Sequence, residues 1–148
     1  MSNNQSYISN KANIHPSVKI GPFCYIDDHV TIGKNCELKS HVSILGNTKI
    51  GEENIFYPFS SIGNKPQDLK YNNEKSYLVI GNKNIFRENV TANPGTTGGG
   101  LYTVIKNNCL FMVGSHIAHD CKIESNVILA NNATLAGHVE IGENAIIG

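Results

Sequence analysis

An aliphatic or aromatic residue recurs at every sixth position along most of this chain. The series runs Ile8, Ile14, Ile20, Ile26, Ile32, Leu38, Ile44, Ile50, Phe56 and Ile62, then returns at Ile80 and Phe86. It resumes from Ile105 through Phe111, Ile117, Ile123, Leu129, Leu135, Ile141 and Ile147. A helix repeats about every 3.6 residues and a simple strand about every 2, so neither accounts for this period. A hexapeptide β-helix does, because one short strand and its turn use six residues and three such units close a triangular coil. The expected fold is all-β, a solenoid of parallel strands stacked at about the 4.8 Å spacing of a hydrogen-bonded sheet.

In such a solenoid the repeating residue points into the prism and stacks on its counterparts in the coils above and below. A smaller apolar residue four places later, as at Ala12, Val18, Cys24, Val30, Cys36 and Val42, fills the remaining interior. All four cysteines, Cys24, Cys36, Cys109 and Cys121, occupy that position. They read as buried free thiols, since no Cys-x-x-Cys knuckle marks a zinc site. Glycine directly after the repeating residue, at Gly21, Gly33, Gly51, Gly63, Gly81 and Gly142, is expected to serve turn conformations that a Cβ resists.

Composition narrows the function. Twelve acidic and twelve basic residues give a formal charge of zero, which argues against nucleic acid and against an anionic membrane surface as partners. No apolar run reaches the length of a membrane span, so no stable membrane insertion is expected. The opening MSNNQSY has neither a basic region nor an apolar core, so no secretory signal is expected. Residues 1–148 are read as a single β-helix domain.

The series breaks twice. Between Ile62 and Ile80 the phase is kept, yet the segment NKPQDLKYNNEKSYLV is polar and is expected to leave the prism as a loop carrying Gln67, Asp68, Lys70 and Tyr71. The second break, Ala92 to Tyr102, shifts the phase by one residue and contains NPGTTGGG. Insertions in a solenoid project from one face and often build its binding surface; tolerated surface loops are the alternative. The run Gly98-Gly99-Gly100 lacks the strand and helix context of a phosphate cradle and reads as a flexible turn.

Three of the six histidines, His116, His119 and His138, crowd into one stretch. One coil is eighteen residues, so Gly137 stacks directly on His119 with His138 beside it. An imidazole at one level and a glycine amide at the next suit acyl transfer: a base for a hydroxyl proton and a backbone donor for the oxyanion. Histidine has the intrinsic basicity for this near neutral pH, and glycine keeps the approach to its amide clear. Two other readings compete, histidines merely at surface turns and a zinc site from His-x-x-His with a third histidine. Asp120 follows His119, but neighbours on a strand point to opposite sides. A hydrogen bond between them would require a turn there.

The stretch HIAHDCKIESNVILANNATLAGHVEIGENAIIG, with QDLKY and GPFCYI, closely resembles the cytoplasmic UDP-N-acetylglucosamine acyltransferases that begin lipid A synthesis. The resemblance implies a left-handed parallel β-helix, a homotrimer with sites between neighbouring subunits, and no cofactor or metal. It implies transfer of a 3-hydroxyacyl group from acyl carrier protein to the 3-hydroxyl of UDP-N-acetylglucosamine in the cytoplasm. His119 matches the family's catalytic base and Gly137 its oxyanion amide. Gln67, Asp68, Lys70, His116 and His138 match residues that contact the nucleotide sugar.

Two departures accompany the resemblance. Asn93-Pro94 stands where many members carry His-Arg, so no role is carried over to that pair. Family members continue into further coils and a C-terminal helical domain beyond the point matching Gly148. The chain is therefore expected to be a fragment whose measuring pocket for the acyl chain lies elsewhere. Alternatives are a related hexapeptide acyltransferase acting on another sugar, a zinc-dependent hydratase, and an inactive trimeric solenoid fragment.

Overall fold

The computed structural model describes residues 5–148, so the first four residues of MSNNQSY lie outside the described part. Among the described residues twenty-one strands form three parallel sheets of seven, and each sheet takes every third strand in chain order. The result is a left-handed parallel β-helix. Most strands are two residues long, as at Tyr25–Ile26 or Thr31–Ile32, because the chain must turn a corner every six residues. No helix among the described residues is long and apolar enough to cross a membrane.

The register follows the sequence period. Ser43 pairs with Ser61 and His116 with Thr134, each eighteen residues on. Across the first excursion the offset grows to thirty, as Ser61 pairs with Thr91, and across the second it is twenty-five, as Thr91 pairs with His116. Both excursions return into four-residue strands, Tyr77–Ile80 and Tyr102–Ile105, which pair with each other, the former also pairing with the four-residue strand Asn47–Ile50. The longer ladder re-establishes the coil after each departure.

Inside the prism the repeating residues form continuous columns. Phe86 stacks between Phe56 and Phe111, with centroids 4.7 and 4.8 Å apart, and all three rings are fully buried. Ala92 completes a column between Ile62 and Ile117, a small residue at a position where the period called for a larger one. The four cysteines are buried and unpaired, and burial pushes each thiol's pKa up. Two interior positions are asparagine. Asn84 donates to the Asn54 side chain and the Lys106 carbonyl and accepts from the Cys109 amide, so a buried polar column is satisfied along the axis.

Gly63 takes the left-handed conformation expected of it (φ 86°), but other glycines serve a different purpose. At Gly21, Gly33, Gly51 and Gly81 an added Cβ would strike the backbone of the next coil, so close packing between coils selects them. The left-handed turn falls three residues after the repeating residue. It is held most often by asparagine, at Asn35, Asn89, Asn108, Asn126, Asn132 and Asn144, and also by Asp120, His41, His138, Phe23, Phe59, Glu53 and Lys83. Asparagine and aspartate tolerate this region better than other side chains bearing a Cβ.

Candidate functional site

On one sheet, the strands Ser61–Ile62, Thr91–Ala92, His116–Ile117 and Thr134–Leu135 stack in order, and every second side chain points outward. The first excursion folds back over this face. Between them lies an open cleft of about 910 Å³. Gln67, Asp68 and Lys70 line it from the loop, and His116, His119, Gly137 and His138 from the coils. All seven residues singled out from the sequence thus border one space.

His119 sits at a corner. The chain turns through the left-handed region at Asp120 (φ 61°), which swings the carboxylate back so that Oδ2 lies 2.8 Å from His119 Nδ1. The turn that the sequence left open is therefore present. Asp120 is 4% exposed and fully engaged: its Oδ1 accepts from the Thr96 amide at 2.8 Å, and its Oδ2 from the Thr96 hydroxyl at 2.6 Å. Its own amide donates to the Thr103 hydroxyl at 2.8 Å, which fixes the turn.

Burial pushes the Asp120 carboxyl up, but the Thr96 hydroxyl, the Thr96 amide and His119 together outweigh it and hold the group below its ordinary value. An ionised carboxylate only accepts, so His119 Nδ1 must carry the proton and the neutral ring keeps a bare lone pair at Nε2. Asp68 Oδ2 stands 4.0 Å from that nitrogen across the cleft. The arrangement is that of a general base with a carboxylate fixing its tautomer.

One coil up, Gly137 lies against this ring. A Cβ there would run into the His119 imidazole, so the packing admits only glycine. The Gly137 amide donates to no backbone carbonyl among the described residues. His138 follows in the left-handed conformation, its amide donating to the His119 carbonyl at 3.0 Å and its ring edge-on to His119 at 5.1 Å. His116 Nδ1 shares a 2.7 Å hydrogen bond with the Thr91 hydroxyl. Burial, then the nearby His119, lowers the His116 pKa, which favours the neutral ring.

The two excursions brace one another. The Asn93 amide nitrogen donates to the Asn64 carbonyl at 2.9 Å, clipping the first loop where it leaves the prism. Glu74, at its far end, accepts from both the amide and hydroxyl of Thr97. Hydrogen bonds to the Thr97 amide and then other backbone amides hold the Glu74 carboxyl below its usual range. The glycine run forms a turn, as expected, and within it Gly99 packs so tightly on Asp120 that a Cβ would overlap the carboxylate. Asp68 and Lys70 form a short turn in which the Lys70 amide donates to Asp68 Oδ1 at 2.9 Å.

Among the described residues one cluster has metal-ligating atoms close together, His119, Asp120 and His138. His116, the third histidine of the zinc reading, stands outside it. Asp120 Oδ2 already accepts from Thr96 and His119, and a cation there would have to break both bonds. The donor set fits an oriented imidazole better than a metal centre.

Comparison with known proteins agrees with this geometry. The family model described as bacterial transferase hexapeptide (six repeats) matches residues 11–46 and 102–137. An acyl-[acyl-carrier-protein]–UDP-N-acetylglucosamine O-acyltransferase from Rickettsia bellii is 53% identical over 80% of this chain and 42% of its own length. One of the same name from Thermodesulfovibrio yellowstonii is 48% identical over 93% of this chain and 54% of its own. The crystal structure of UDP-N-acetylglucosamine O-acyltransferase from Moraxella catarrhalis superposes with a TM-score of 0.95 at 45% identity, covering 97% of this chain and 56% of that one. The chain belongs to the hexapeptide-repeat UDP-N-acetylglucosamine O-acyltransferase family. It spans about half the length of the relatives it matches.

Within this family frame, sequence reasoning left two members of the site unassigned. For Asp120 the sequence leaves the bond to His119 open, dependent on a turn, although its place three residues after Ile117 repeats a corner position often held by Asn. Thr96 carried no signal of its own, because its partner is brought near only by the return of the second excursion.

Proposed function

We propose that the protein transfers a 3-hydroxyacyl group from acyl carrier protein to the 3-hydroxyl of UDP-N-acetylglucosamine, the first step of lipid A biosynthesis. The observation that carries this reading is His119, with Nδ1 bonded to buried Asp120 and Nε2 turned to a cleft bordered by Gly137. Relatives 53% and 48% identical are named acyl-[acyl-carrier-protein]–UDP-N-acetylglucosamine O-acyltransferases, which supports this reading.

His119 Nε2 takes the proton of the sugar hydroxyl as its oxygen attacks the thioester carbonyl. The Gly137 amide stabilises the oxyanion of the tetrahedral intermediate. Collapse breaks the carbon–sulfur bond, and the His119 imidazolium returns the proton to the carrier thiolate. Asp68 and Lys70 hold the acceptor from the loop side with Gln67, and His116 and His138 contact the nucleotide sugar from the coil side. The reaction is cytoplasmic in this reading, where acyl carrier protein is available.

The assembly that suits this function is a homotrimer. Its support is a row of outward-facing aliphatics on a second sheet, Ile55, Ile85, Leu110, Ile128 and Ile146, stacked in register and partly or fully exposed. At this outward position only the first two strands of the sheet carry charge, Lys19 and Glu37, and the five that follow are aliphatic, unlike a face built for solvent. Light scattering should return three times the monomer mass.

The activity test is the mass of the product formed from UDP-N-acetylglucosamine and a series of 3-hydroxyacyl carrier proteins. An ester at the sugar 3-position is expected. Acylation of a different sugar nucleotide alone would favour the related-acyltransferase reading.

A further inference from the structure

The second excursion contributes more to the site than a wall. Thr96 sits where the chain enters the Thr97–Gly99 turn, yet its side chain caps nothing in that turn. Its hydroxyl and amide instead both donate to Asp120, from twenty-four residues away in sequence. Thr96 is 4% exposed, so these bonds are made out of water, where charge-assisted hydrogen bonds are strong.

The turn that presents Thr96 is itself anchored. Its carbonyl accepts from the Gly99 and Leu101 amides, Gly95 donates to the Tyr77 carbonyl, and Glu74 grips Thr97. Gly99 closes on the other side of the carboxylate. Thr96 does not line the cleft at Nε2. Its hydrogen bonds reach that ring through Asp120.

We infer that Thr96 is a positioning residue for the His119 base, acting through Asp120. This rests on the general-base reading of His119 given above. With two donors from Thr96, the carboxylate cannot rotate, so His119 is held in the tautomer and orientation that aim Nε2 at the cleft. Without the hydroxyl, Asp120 loses a donor and protonates more readily. The charged and titratable groups facing the pair are His119 itself, His138 at 3.8 Å from Asp120 Oδ2, and Asp68 across the cleft.

The test compares Thr96→Val, which keeps the shape and removes the hydroxyl, with Thr96→Ser, which keeps it, in the intact protein. Thr96→Val should lower kcat by about 10- to 100-fold with little change in KM. The acid limb of its pH profile should move to higher pH, and Thr96→Ser should restore both. A merely structural role predicts the opposite split, with KM raised through a loosened loop, an unmoved acid limb, and Ser no better than Val.

Nitrogen NMR of the His119 ring gives a readout that needs no turnover. With the ring neutral, the native protein should show its proton on Nδ1 alone, Thr96→Val a mixture of tautomers, and Thr96→Ser the native pattern. Native tautomer purity in Thr96→Val would overturn the inference even where transfer is intact. A native protein with the expected tautomer but no transfer would count against the proposed function while leaving the positioning inference standing.

Discussion

The regular coils and the two excursions are held by different interactions. In the coils each residue meets its counterpart one turn away, as Phe56, Phe86 and Phe111 do, and buried area supplies the stability. In the excursions the ties are polar and join segments far apart in sequence: Asn93 to Asn64, Glu74 to Thr97, Thr96 to Asp120. The coils fix where His119 and Gly137 lie relative to each other, and the excursions fix how the His119 ring is turned. A bare prism would offer a flat face with no oriented base.

This contrast separates stability from chemistry, and substitutions should respect the division. Phe86→Ala, in the middle of the aromatic column, should cost about 3–5 kcal/mol in denaturant unfolding. A cost below that range would mean the coils repack around the gap. Gly137→Ala should cut transfer by about 100-fold, because the new methyl displaces the His119 ring, with only a small change in thermal midpoint. A large loss of stability instead would move Gly137 to the scaffold side of the comparison.

Glu74→Ala should be milder, raising KM for the sugar nucleotide by about 3- to 10-fold as the first loop loses its brace. An unchanged KM would show that the loop stands without the second excursion. The smallest effect concerns His116, whose folded pKa is depressed, by burial first and by His119 second. The unfolded chain then binds the proton more readily, so stability falls as pH drops through the ordinary imidazole value of 6.5. The loss stops growing below the lower folded value. His116→Gln should flatten this slope in melting curves between pH 7 and pH 5, conditions about which the ordinary imidazole titrates.

Most of the scaffold was legible because a period of six admits few structures, and counting eighteen residues brought Gly137 onto His119. The excursions were legible only as departures. Their return paths depend on contacts such as Glu74 with Thr97, which no periodicity encodes. At Gly21, Gly33, Gly51 and Gly81 glycine serves close approach between coils rather than a left-handed turn; both ask for the same residue, and the turn falls most often on asparagine. The bond of Asp120 to His119 stays undecided in the sequence for a related reason: alternation holds along a strand, and these strands end after two residues.

The central claim is that His119 supplies the chemistry and the prism merely holds it. Transfer rate and thermal midpoint measured on one preparation of His119→Ala test this directly. The account predicts an unchanged midpoint with transfer reduced by about 100-fold or more. Transfer retained at the native rate would contradict it.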